Sequence, residues 1–302
     1  MADKERDVNS PDMIKQVAIV TDTTACVPEE QVKKYDIEVV PVQLIIGKKT
    51  FRDSIDMSPT EFYSLLRTSK ETPTTASSSP EPYLEAYENA SRKAPSIICL
   101  TEPRKFSAMF DSATVAMEMV RKTISDTVIE VIECTTAAAG QGLVALAAAR
   151  DAALGKTLEE IKIKIRSIMS RTNIFAMLDT LHYLARSGRV PQAAALVNSI
   201  LNIKPIFTLN HTDAHTVAIP RTTESAIKRI LKLMDNHIDK SLPLHVAVMH
   251  ADAPQHAANL KKRISSQFDC REIFITEFTP VMGVHTGPGL FGVAYYSDEL
   301  PA

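Results

Sequence analysis

The stretch "QVAIVTDTTACVPEE", Gln16–Glu30, changes character twice, and those changes set the fold. Its apolar run, Val17–Val20, is short and ends on Thr21 and Asp22, which predicts a buried strand. Pro28 then stands near the first turn of "VPEEQVKKYD", which predicts a helix. In an open parallel sheet, ligands bind beyond the carboxyl ends of the strands. Here that position carries Asp22, Thr23 and Thr24.

The strand–helix alternation recurs downstream. "EPYLEAYENASRKA", "SAMFDSATVAMEMVRKTI" and "AAAGQGLVALAAARDAAL" read as helices, with "SIICLT" and "TVIEVIE" as strands between them. A helix from Thr157 to about Ser170 closes this half, and the pattern predicts a mostly parallel α/β sheet over residues 16–171. Inside it, "IEVVPVQLII" and "KTFRD" read as a hairpin-like pair joined through Gly47. Ser58 is an N-cap with Pro59 and Glu61 behind it, and residues 71–82 read as a hydroxyl-rich loop.

Residues 172–302 read differently, as strands paired with one another among helices, which predicts an α+β domain. "TNIFAML", "LHVAVMH", "EIFITEF" and "VAYY" are strands, and "IKPIFTLN" and "HTVAIP" meet at an Asn/His/Asp turn. "TLHYLARSG", "PQAAALVNSILN", "TTESAIKRILKLMDNHI" and "APQHAANLKKRISSQ" are helical. Residues 1–15 are expected to form a loose tail.

The chain has 302 residues, with 34 Lys and Arg against 36 Asp and Glu. The resulting net charge of −2 lacks the basic excess of a nucleic-acid binder. No apolar run approaches the ~20 residues that span a bilayer. The charged start is unlike a secretory signal. Cys26, Cys99, Cys134 and Cys270 form no C-x-x-C pair and read as small buried hydrophobes, so a cytoplasmic location is expected.

Hydroxyl side chains collect where the strands end: Thr21, Thr23 and Thr24, then Thr101 and Ser107, then Thr135 and Thr136, with Thr72, Thr74, Thr75, Ser77, Ser78 and Ser79 in the 71–82 loop. Such donors near helix N-termini suit a small carboxylate or phosphate, although for any single residue helix capping is the commoner role. "GVHTGPGLFG", Gly283–Gly292, holds four of the chain's 9 glycines around His285, Thr286 and Pro288. It is either a site of close backbone approach to a ligand or a tight turn. Arg186 and Arg189 flank Gly188, a helix stop, and are either an anion fork or a solvated helix end. Phosphate-loop, dinucleotide, nucleophile-elbow and H-E-x-x-H signatures are absent. Asp22 has no second carboxylate beside it to share a metal ion. No catalytic residue, metal or cofactor is assigned.

Together, "VAIVTDTTACVPEE", "PVQLIIGKKTFRDSIDMSPTEFYSLL", "LDTLHYLARSGRVPQAAALVNSILNIKPIF", "PRTTESAI" and "HTGPGLFG" resemble the DegV family of bacterial fatty-acid-binding proteins, from about Val17 to the C-terminus. The resemblance implies a Rossmann-like N-terminal domain, an α+β C-terminal domain, and a ligand tunnel with its mouth between them. It implies a long-chain fatty acid whose carboxylate meets Thr75, Ser107, Thr74, His285 and Arg189, with Thr23, Thr24, Thr286 and Gly287 adjacent. Some members are the non-catalytic binding subunit of a fatty-acid kinase and present the carboxylate to a separate ATP-using partner. Ala76, Ser78, Ala108, Met109 and Ser187 depart from the family pattern, and the change at Ala108 and Met109 is expected to remove a hydroxyl and add bulk beside the head-group. The alternatives are a stand-alone phosphotransferase or hydrolase using a Ser or Thr hydroxyl with Asp22 and His285, and a regulatory module with a vestigial pocket.

Overall fold

A computed structural model describes residues 15–69, 71–191, 193, 203–210 and 213–299. Most of the expected tail, residues 1–14, and most of the helix expected at 191–202 lie outside the described residues.

The Gln16–Glu30 stretch forms as its pattern predicts. Strand β1 (Val17–Asp22) is buried along its whole length and leads through a 3-10 turn to helix α1 (Glu29–Tyr35). β1 sits inside a four-stranded parallel sheet with β2 (Glu38–Val40), β6 (Ser96–Thr101) and β7 (Val128–Glu133), in the order β2-β1-β6-β7. The chain leaves β1 for one side and later returns to the other, so β1 and β6 flank the topological switch point.

A small antiparallel sheet, β4-β3-β5, contains β3 (Gln43–Ile46), β4 (Lys49–Arg52) and β5 (Thr74–Ala76). Two expectations are corrected here. The 37–46 run is split: Pro41, which has no N–H for a ladder, stands between a piece paired with β1 and a piece paired with β4. The 71–82 loop contains strand β5, because its hydroxyl residues include two β-branched threonines that pair with β3. Helix α2 (Pro59–Thr68) carries the expected capping box of Ser58 and Glu61.

The second half builds a six-stranded mixed sheet in the order β10-β9-β8-β13-β11-β12. Its strands are β8 (Asn173–Met177), β9 (Ile206–Asn210), β10 (Asp213–Ala218), β11 (Leu244–His250), β12 (Cys270–Glu277) and β13 (Phe291–Ser297). The residues between β9 and β10, where a turn is expected, lie outside the described residues. All pairings are antiparallel except β11 with β12.

Side-chain alternation gives this sheet two apolar faces. Phe175, Met177, Val246, Val248, Phe291 and Val293 join a core with helices α8 (Thr223–His237) and α9 (Pro254–Gln267). Ile174, Ala247, Met249 and Ala294 point the other way, into the core shared with the first half. Helices α3 (Pro80–Ser91), α4 (Met109–Val120) and α6 (Leu158–Arg171) complete the first half. α6 starts from the Thr157–Glu160 capping box.

Helix α5 (Ala139–Ala153) joins the two sheets. It packs on β1 and β6 on one side and on β11 and β13 on the other. Every residue from Ala139 to Ala152 except Arg150 is buried, as its small, all-round apolar composition requires. Cys26, Cys99 and Cys134 are buried as expected. Cys270, at the start of edge strand β12, is only half-buried. Among the described residues, no helix is long and apolar enough to cross a membrane.

Because α5 is wedged between two sheets, Ala145→Leu should overpack it and lower stability by about 1–3 kcal/mol. Ile163→Ala, at a position 68% exposed on α6, should stay within about 0.5 kcal/mol of the parent. Urea denaturation of both variants checks the contrast.

Candidate functional site

A cavity of about 180 Å³ opens between the carboxyl end of the parallel sheet and the inner face of the mixed sheet. Its walls are mostly apolar: Ile174 and Ala176 of β8, Phe207 and Leu209 of β9, Ala214 and Met249, with Val42 and Phe106 from the first half. Thr24 and Glu102 reach it from the loops after β1 and β6, at the switch point.

The polar lining is assembled from distant segments. The strand alternation of β5 leaves Thr74 exposed and turns Thr75, opposite Leu44 of β3, toward the cavity. The Thr75 hydroxyl lies 2.9 Å from His285 Nε2. Ser107 and Ser77 attend the start of α4: the Ser107 hydroxyl oxygen accepts the Met109 N–H at 3.2 Å, and that of Ser77 accepts the Ala108 N–H at 3.0 Å. Those contacts satisfy helix-end donors through the hydroxyl oxygens, and the Ser107 hydroxyl also lies within reach of the Glu102 carboxyl. Arg189 follows Gly188, whose φ of 70° ends α7 (His182–Ser187). The exposed Arg189 guanidinium donates to the Ser187 carbonyl at 2.7 Å.

His285 is placed by helix α10 (Pro280–Thr286), an element that the sequence presented only as a glycine-rich turn. Asp53 accepts the Val281 N–H at 3.1 Å at the start of this helix. Gly283 lies so close to α2 that a Cβ there would stand 2.7 Å from the Tyr63 Oη and 2.8 Å from Phe62. Gly287, at φ 71°, closes the helix under the ring of Tyr183. The glycines therefore bring protein against protein, and that seating carries His285 into the cavity wall. Direct backbone closure on a ligand is not their role.

Of the residues singled out from sequence, Thr24, Thr75, Ser107, Arg189, His285 and Thr286 line the cavity, whereas Thr74, Thr23 and Gly287 do not. The Thr23 hydroxyl accepts the Val42 N–H at 3.2 Å, and Thr286 donates to the Met282 carbonyl at 3.0 Å. Thr21 and Thr135 donate to the backbone carbonyls of Leu100 and Met169, so much of the hydroxyl rim is structural. Arg186 donates to the Thr72 hydroxyl at 2.7 Å and does not line the cavity. Met109 adds no bulk to the wall. It is fully buried in the core, where its sulfur accepts the Ser78 N–H at 3.3 Å.

Asp22 is enclosed by its neighbours: it accepts the Thr24 N–H at 2.9 Å and the Gln141 amide at 3.3 Å, and burial pushes its carboxyl up to about 6. Among the described residues, no three His, Cys, Asp or Glu side chains gather as a metal site would need. His285 does not change charge near neutral pH, contrary to the expectation for an exposed imidazole. Burial, with the Arg189 charge adding, pushes its pKa down to about 4. Its Nδ1 is buried and has no partner among the described residues. Sequence reading missed Glu102. Its signal was a carboxylate placed just past the end of a buried parallel strand.

Comparison with known proteins bears on this geometry. A family model described as an uncharacterised protein of the DegV family matches residues 16–298. A DegV domain-containing protein of Caldanaerobacter subterraneus is 31% identical over 282 residues, covering 93% of this chain and 99% of that one. Protein DegV of Bacillus subtilis is also 31% identical, over 92% and 98%. The structure of a DegV family protein from Thermus thermophilus, described by its fatty acid binding, superposes with a TM-score of 0.86 at 25% identity. It covers 94% of this chain and 100% of that one. The Bacillus subtilis DegV crystal structure, of a protein described as fatty acid binding, gives 0.84 at 27%, over 94% and 100%. The chain belongs to the DegV family.

Two measurements test the placement of His285. Its ring resonances should hold the neutral position from pH 8 down to about 5 and titrate near 4. Because the folded pKa lies below the unfolded value of 6.5, this group's contribution to stability is complete above 6.5 and is lost as pH falls toward 4. Gly283→Ala should push α10 off α2, cost about 1–3 kcal/mol in a denaturation curve, and move the His285 pKa back toward 6.5.

Proposed function

We propose that this member of the DegV family holds a long-chain fatty acid, with its chain in the cavity between the sheets and its carboxyl against Thr75, Ser107 and His285. One observation carries the reading: a mostly apolar cavity whose polar groups include two hydroxyl donors and a neutral imidazole. The fatty acid binding described for the Thermus thermophilus and Bacillus subtilis proteins supports the same ligand class. Burying each CH₂ contributes about 0.8 kcal/mol, so an acyl chain of ~12 or more carbons supplies most of the affinity and the head-group contacts set its orientation. The loss of translational and rotational freedom offsets part of this.

The reading extends to presentation. Residues 16–171 and 172–302 act as two domains, with the carboxyl at the mouth between them. Arg189 is exposed at that mouth, beside the head-group rather than the tail. This arrangement suits a non-catalytic carrier that offers the carboxylate to a separate ATP-dependent kinase subunit, which forms the acyl phosphate.

Delipidated protein should bind oleate in calorimetry. Thr75→Val and Ser107→Ala should each weaken binding about ten- to a hundredfold, as expected for loss of one hydrogen bond to a charged acceptor at about 1.5–3 kcal/mol. With a fatty-acid kinase subunit and ATP, Arg189→Ala should lower acyl-phosphate formation more than it lowers oleate binding. Absence of oleate binding by the folded parent protein contradicts the reading.

A further inference from the structure

Glu102 brings a second carboxyl group to a cavity read here as a carboxylate site. It directly follows β6 and lines the cavity with only 8% of its surface exposed. Thr75, Ser107, Arg189 and His285 line the same space. Two carboxylates confined together in apolar surroundings resist simultaneous ionisation, so an acid ligand and Glu102 behave as one titrating pair.

We propose that Glu102 is a head-group contact and shares one proton with the ligand: the Glu102 O–H donates to the ionised ligand carboxylate, and the two bind as a singly charged pair. This rests on the fatty-acid reading and adds a specificity device to it. The site takes an acid together with one proton, and the single remaining negative charge faces Arg189.

The surroundings of Glu102 support this pairing. Burial pushes its carboxyl up, to about 8, with the Asp22 charge adding and the Ser107 hydroxyl and Arg189 opposing. Of the other groups near it, His285 is held neutral by its depressed pKa, and burial pushes the Cys99 and Cys134 thiols and the Tyr83 hydroxyl well up. Asp22 is raised only to about 6. Glu133, at the end of neighbouring β7, is turned to the Arg104 N–H at 2.8 Å. Between pH 8 and 9.5, Glu102 is therefore the group whose titration reaches the head-group.

The sign follows from linkage. Below about pH 8 the empty site already holds the proton, so affinity is flat. Above it, each binding event takes up a proton, and affinity falls about tenfold per pH unit. The test is calorimetric titration of delipidated protein with oleate from pH 7 to 9.5, in buffers of different ionisation enthalpy, with Glu102→Gln in parallel. The parent should show the alkaline fall and an uptake approaching one proton per oleate. The amide of Glu102→Gln keeps a donor that does not titrate, so its affinity should stay flat and its proton uptake should vanish. A parent that binds equally at pH 7 and 9.5 without proton uptake overturns the proposal, as does a variant that follows the parent's fall. If the variant does not fold, the proton count of the parent decides alone. Oleate binding without proton linkage sinks only this proposal, whereas no oleate binding at any pH sinks the fatty-acid reading with it.

Discussion

Helix α10 is held by the first half of the chain at three points, and the polar end of the cavity depends on that grip. Asp53 takes the Val281 N–H at its start, Phe62 and Tyr63 press on Gly283 in its middle, and Thr75 meets His285 at its end. The last contact joins residues 210 positions apart. A seven-residue helix has little stability of its own, so these tertiary contacts fix where the imidazole stands. They also place a neutral nitrogen, rather than a cation, opposite the Thr75 hydroxyl.

The rest of the site follows from two sheets that face one another without filling the space between them. α5 occupies part of the gap and is packed on all sides, while the remaining volume is lined by the inward residues of β8 and β9. A one-residue slip in β8 would exchange Ile174 and Ala176 for Phe175 and Met177, which now pack against α8 and α9. The cavity is thus a consequence of register. Its apolar character comes from the same alternation that builds the second core.

Much of the fold was legible in local pattern. The apolar run that opens β1, the capping box at Ser58, the helix start at Thr157 and the small-residue helix α5 each announce themselves within a few residues. The site was only partly legible, because it is made by pairing and packing across long separations. Ser107 and Thr75 can be read as hydroxyls beside helix or strand ends, but which of Thr74 and Thr75 faces inward depends on pairing with β3. The glycine cluster drew attention for a sound reason, close approach, yet its partners are Tyr63, Tyr183, Asp179 and the Phe175 carbonyl. Glu102 was overlooked because its one signal, a place just past the end of a buried strand, does not say that the carboxyl itself is buried in a cavity wall.

The central claim is that one end of an apolar cavity, bounded by Thr75, Ser107 and His285, receives a fatty-acid head-group. A crystal structure of the protein with bound oleate tests it most directly. The account predicts carboxyl density within hydrogen-bond reach of Thr75 and Ser107, with the tail running between Ile174, Phe207 and Met249. Density for the tail at that polar cluster, or for the whole ligand outside the cavity, would contradict it.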